Sequence, residues 1–243
     1  MAGTLTGANL ISRIQDLLQD TTSVRWPEAE LLRYVNDAQR EVCNLRPEST
    51  AATVNMVCVA GTKQSLPAGG LRLIRVVRNM SSDGGGALGR RALRLVDVDI
   101  LNTQEPDWHN PAVSGDAAHG NTAKHYIFDE DNPRSFYVYP GSSGTSMYLE
   151  LVYSASPTDL ANTSATIYVD DIFANALIDY TLFRCYLKDA EFAGNQQRAG
   201  THFQLFSSSL GSGGQAQFNL SPNQDTVNMS ALPVQQVPTA VGQ

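Results

Sequence analysis

A chain of 243 residues with a formal net charge of −7 is long enough to bury a substantial core, as one large domain or two small ones. Its 42% hydrophobic and 17% charged residues describe an ordered, soluble protein, and its acidity argues against tight wrapping of nucleic acid, which needs many cations to displace counterions. No apolar run approaches the ~20 residues that span a bilayer, the start MAGTLTGANLISRIQ lacks the basic and apolar blocks of a signal peptide, and Cys43, Cys58 and Cys185 stand apart as reduced, structural thiols of a cytosolic fold.

The first element is a helix from about Asn9 to Gln19, with Leu10, Ile14 and Leu17 on one face and Thr6 as the N-cap candidate. A second helix lies within VRWPEAELLRYVNDAQREVCNLRP. Pro27 suits the first helical position, and Glu28 and Glu30 favour the positive end of the helix dipole. Leu31, Val35, Ala38, Val42 and Leu45 make one apolar stripe, Arg33 and Asp37 stand four apart as a weak ion pair, and Pro47 ends the segment. The texture then turns to strands: TVNMVCVA, then LRLIRVVRNM, then the glycine loop SSDGGGALG. RALRLVDVDILNTQ fits a strand turning into a short helix or a helix throughout. KHYIFDEDNPRSFYVYP predicts two strands around a turn at Asp131, Asn132 and Pro133, and SMYLELVYSASP a further strand ending before Pro157. Helical periodicity returns after Asp170 and Asp171 with Phe173, Ala176, Leu177, Tyr180, Phe183 and Leu187, and again with Ala199, Phe203, Phe206 and Leu210. Past Gly211 no period survives.

This order predicts an α+β fold: an antiparallel bundle of four main helices (residues 1–50 and 165–211), an inserted β-rich lobe (51–164) and an extended C-terminal arm (212–243).

Little of the sequence asks for catalysis. Gly84 to Gly89 matches G-x-G-x-x-G in form, but a dinucleotide site needs those glycines between a strand and a helix of a parallel unit, and the surroundings predict a hairpin tip. His109, His119, His125 and His202 lack metal-ligand spacing, and FDEDNP lacks the closing Glu of a calcium loop. No catalytic residue, metal or cofactor is therefore assigned.

Charge is unevenly spread. Lys63, Arg72, Arg75, Arg78, Arg90, Arg91 and Arg94 form a basic block, and Asp97, Asp99, Glu105, Asp107, Asp116, Asp129, Glu130 and Asp131 an acidic one. The six arginines are candidates for a subunit contact or a DNA lumen. Pairing with the acidic block, in the same or a neighbouring subunit, is favoured over DNA because the net charge has the wrong sign for a DNA binder. From Ser207 to Gln243 the one charged side chain is Asp225. Phe218, Leu220, Val227, Met229, Leu232, Val234 and Val237 punctuate this polar stretch, which cannot fold alone but suits docking along a partner.

RWPEAELLRYVNDAQREVCNLRP resembles the opening of the head-to-tail adaptor proteins of short-tailed bacteriophages, also called connector or tail tubular proteins. Trp26, Glu30, Leu31, Leu32, Tyr34, Asn36, Asp37, Ala38, Arg46 and Pro47 carry the likeness, and Pro27 departs from it. Lys188, Asp189, Ala190 and Glu191 match the turn between that family's paired C-terminal helices, and the likeness spans roughly residues 5–210. It implies a non-enzymatic virion protein at the head–tail junction: a homo-oligomeric ring, usually a dodecamer, between the portal protein and the tail nozzle protein. Genomic DNA would pass through its lumen on ejection without sequence-specific binding, and no membrane is involved. Trp26, Tyr34, Asn36, Asp37, Pro47, Lys188 and Asp189 would then be structural, and the uncharged tail a portal-binding arm. Two other readings stay open: a nucleotide- or sugar-acting enzyme built on the glycine loop, and a glycan-binding tail module using the β segment.

Overall fold

The computed structural model describes residues 3–144, 146–192 and 194–219, with 212–219 as backbone alone. In chain order it contains α1 (Gly7–Leu18), α2 (Glu28–Leu45), a 3-10 turn at Pro47–Thr50, β1 (Ala51–Val57), β2 (Gly61–Ser65), β3 (Gly70–Met80), β4 (Gly89–Ala92) and β5 (Arg94–Leu95). Then follow α3 (Val98–Gln104), β6 (His125–Phe128), β7 (Ser135–Ser142), β8 (Tyr148–Ala155), α4 (Ala174–Lys188) and α5 (Asn195–Asn219).

The fold is α+β, but it is not a four-helix bundle with an inserted lobe. Among the described residues five α-helices accompany two four-stranded sheets, ordered β1-β8-β3-β4 and β2-β7-β6-β5. The correction has a physical source. β8 lies between β1 and β3, with Ala51 opposite Ser154 and Val76 opposite Leu151, and pairing across such separations leaves no local trace in the sequence. The helices are also not mutual neighbours around one axis: α4 is the hub on which α1, α2 and α5 each pack. Accordingly α4 is buried on several sides, through Ala176, Leu177, Ile178, Tyr180, Leu182 and Cys185.

Thr6 caps α1, its side chain accepting the Asn9 N–H at 3.3 Å, while Leu10, Ile11 and Ile14 go inside and Leu17 stays 56% exposed. Along α2 the stripe Leu31, Val35, Ala38 and Val42 is fully buried, and Leu45 lies beyond it in solvent. Asp37 pairs with Arg40 at 2.9 Å rather than with Arg33. Helix α5 runs on through Gly211 to Asn219, so residues 212–219, expected in the extended arm, are helical. Once a helix is nucleated each further residue adds one backbone hydrogen bond, and glycine weakens that gain without removing it. The remainder of the arm, with Leu220, Val227, Met229, Leu232, Val234 and Val237, lies outside the described residues.

The two sheets enclose a core. Leu73 and Val76 of β3 and Leu149 and Leu151 of β8 meet Tyr126, Phe136 and Val138 of β6 and β7. The alternate residues Ile127, Tyr137 and Tyr139 point to the far side of the second sheet, where Leu101 of α3 and Trp108 cover them. Both faces of that sheet are therefore packed, whereas the outer face of the first sheet carries the exposed Ala51 and Thr53. At one end of that face, Thr50 bonds Cys43 and Ser154 at 3.1 Å each, tying α2 to β8.

Candidate functional site

Arg72, Arg75 and Arg78 stand three apart on β3. On a regular strand such spacing sends alternate side chains to opposite faces. Here the register against β8 shifts at each interval: Arg72 opposes Ser154, Arg75 opposes Val152 and Arg78 opposes Glu150, leaving Leu71, Ile74 and Val77 without opposite residues. Each bulge absorbs the odd residue. All three arginines consequently share the outer face, while Leu73, Val76 and Asn79 are all buried on the inner one. Sequence spacing alone pointed to dispersal on a strand; the bulges produce a row.

Arg78 donates from Nε to Glu150 Oε2 at 2.6 Å, and its guanidinium packs over Gly89 at the start of β4. Among the described residues Arg72, Arg75, Arg90, Arg91 and Arg94 have no carboxylate partner within 4.0 Å. Arg72 ends the row beside a groove of about 400 Å³ lined also by Glu48, Ile74, Leu95 and Phe128. Arg94 sits in register with His125 in the second sheet. Burial, and then Arg91, Arg94 and Lys124, hold the His125 imidazole below its usual pKa and therefore neutral near pH 7.

On the far side of the second sheet lies a groove of about 640 Å³. Asp97 and the turn Asp129, Glu130, Asp131 border it, and its floor is Trp108, Ile127 and Tyr137. Trp108 is held by a bond from Nε1 to Asn102 Oδ1 at 2.9 Å and by the His109 ring at 3.6 Å. His109 shares its Nδ1 with Thr62 at 2.7 Å, and burial, then His119, lowers its pKa. The four carboxylates are exposed and, among the described residues, without a basic partner. The acidic block was legible in the sequence; its aromatic floor, drawn from α3, β6 and β7, was not.

The glycine loop joins antiparallel β3 and β4, with Ser81 N–H donating to the Leu88 carbonyl at 2.9 Å. It opens no helix, so the strand–helix turn of a phosphate cradle is missing there. Among the described residues no group of three or more His, Cys, Asp or Glu side chains could hold a metal ion, and no helix is long and apolar enough to cross a membrane.

The family model of the SU10 adaptor protein matches residues 5–230. The chain belongs to the SU10 adaptor protein family. No curated protein matches the sequence. Membership makes the protein a structural adaptor of a bacteriophage virion, in agreement with the likeness to head-to-tail adaptors.

In this SU10 adaptor family member Trp26, Glu30, Tyr34 and Lys188, which carried part of the likeness, meet between α2 and α4, and the others tie α2 to neighbouring segments. The half-buried Glu30 carboxylate accepts from Tyr34 Oη at 2.8 Å and from Lys188 Nζ at 2.6 Å, and Lys188 lies over the Trp26 ring at 5.1 Å. Asp189 pairs with Arg25, and Arg184 covers Tyr34 at 5.4 Å. Asn36 exchanges two bonds with the Leu160 backbone, 3.3 Å from its amide and 2.8 Å to its carbonyl oxygen, while Arg40 bridges Asp37 to Asp159. Pro47 starts the 3-10 turn after Arg46, whose guanidinium bonds the Leu210 carbonyl of α5. Sequence reasoning passed over Asp20, whose carboxylate accepts the N–H groups of Val24, Arg25 and Trp26 at 3.0, 2.9 and 2.7 Å and so shapes the entry to α2. The Trp26 bond is the main reason its pKa is lowered.

Proposed function

We propose that the protein is a head-to-tail adaptor that assembles as a ring, a dodecamer by analogy with the adaptors it resembles, between the portal protein and the tail nozzle protein. Genomic DNA passes through the lumen without sequence-specific binding, and the chain performs no catalysis. The observation that carries this reading is the family match across residues 5–230. The uncompensated arginines on one sheet support subunit contacts or a lumen lining. In this reading residues 51–164 act as one unit, residues 1–50 with 165–211 as another, and the segment from Phe218 through Leu220, Val227, Met229, Leu232, Val234 and Val237 binds the portal. An uncharged arm repeated around a ring gains avidity against a symmetric partner.

The test is molar mass by light scattering, alone and with the portal of the same genome. The full chain is expected to saturate the portal at many copies per complex. Deletion of Ser221 to Gln243 should leave the melting temperature unchanged and weaken docking. A chain that ignores the portal overturns the adaptor, and a truncated chain that docks as well as the intact one overturns the arm.

A further inference from the structure

We infer that the outer face of the β1-β8-β3-β4 sheet is an interface for a second copy of this chain, and that it receives the acidic groove at Asp97 and Asp129–Asp131 of that copy. The inference rests on the proposed ring and names the surfaces that would join its subunits.

Three observations converge. The bulges of β3 set Arg72, Arg75 and Arg78 in one row, and Glu150 neutralises only the last of them. Among the described residues the middle of this face is open: Thr53 and Arg75 flank Val152 there and are exposed. The groove that would fit it has the opposite sign, carries four exposed carboxylates without basic partners, and opens on the far side of the other sheet. The row's strand and the acidic turn adjoin at one edge of the sandwich, where the Leu73 N–H donates to the Pro133 carbonyl at 3.0 Å, yet among the described residues no arginine of the row lies within 4.0 Å of a carboxylate of the groove. A surface that fits a different surface of an identical molecule makes a heterologous contact, which propagates head to tail and closes into a ring when the rotation permits. Charges of opposite sign across such a contact steer association and set its register. Duplex DNA is the competing occupant of an arginine row. The second copy is preferred because the chain itself supplies the counter-surface and is net acidic at −7.

Two full-length variants test this. One, Arg72→Glu with Arg75→Glu, reverses the row and spares the Arg78–Glu150 pair. The other, Glu130→Lys with Asp131→Lys, reverses the groove and spares Asp129, which accepts the Asp131 N–H within the turn. All four positions are exposed, and unchanged circular dichroism and melting temperature establish that both variants fold. Light scattering and sedimentation should show each variant self-associating about tenfold more weakly than the unaltered chain, and an equimolar mixture recovering association, because each reversed surface then meets its complement. On the portal, each variant should load without the cooperativity of the unaltered chain, and the mixture should restore it. Variants that associate and load normally, or a mixture that recovers nothing, overturn the interface while leaving the adaptor reading in place. Loss of binding to a duplex DNA fragment by the row variant, with self-association intact, assigns the face to DNA and likewise overturns it. Failure of the unaltered chain to bind the portal counts against the adaptor reading itself.

Discussion

Glu30 illustrates how one side chain can hold two elements together. Its carboxylate is 15% exposed and takes bonds from Tyr34 and Lys188, so α2 is fastened to the last turn of α4. The Lys188 bond depresses its pKa below the ordinary 4.5, with burial opposing. A depressed carboxylate pKa contributes stability that is complete above the unfolded value and is lost as pH falls through the folded one. Glu30→Gln is therefore expected to lower stability by about 1 kcal/mol at pH 7, seen as a drop in melting temperature. The gap between variant and parent should close as pH falls below 4.5. A gap that stays constant with pH would show that the ionised form contributes nothing. Burial also pushes the Cys58 and Cys185 thiols up to about 12, so both remain protonated and serve as small apolar side chains.

Strand β3 shows an element whose irregularity sets what its face presents. Without its bulges a period of three would rotate successive arginines through the core side, and burying an unpaired guanidinium costs several kcal/mol. Val77 is the extra residue of the last bulge, so its deletion leaves Arg78 opposite Glu150 and Val76 opposite Leu151 in plain alternation, with Arg75 still on the outer face. The expected outcome is a folded protein that keeps its cooperative thermal transition. Val77→Ala keeps the residue count and should cost about 1 kcal/mol, because only a half-buried side chain is trimmed. Loss of the cooperative transition on deletion, with Val77→Ala folded, would refute the reading of Val77 as the residue that the bulge absorbs.

In the molecule taken entire, separation of charge matters more than its sum. The net value of −7 conceals a basic row and an acidic groove on separate surfaces of one sandwich. Exposed charges are screened over roughly 10 Å at 0.1 M salt and 3 Å at 1 M. Self-association through these surfaces should therefore weaken steadily across that range, as followed by sedimentation. An association that strengthens with salt would indicate apolar contacts instead. The helical side of the molecule contributes rigidity, because α4 holds α1, α2 and α5 around one core from Leu10 to Leu210.

Much of the local structure was legible in the residues. Apolar stripes marked α1, α2, α4 and the first part of α5, Asp131-Asn132-Pro133 marked the turn between β6 and β7, and Trp26 to Pro47 with Lys188 to Glu191 marked the family. Such features depend on neighbours within a few positions, where periodicity, capping and turn chemistry act. The partners of β8, the hub position of α4, the row made by Arg72, Arg75 and Arg78, and the aromatic floor beneath Asp129–Asp131 came from the fold. Each joins residues far apart in the chain, and their contact is settled by which buried surfaces pack best together, a quantity that no local pattern records.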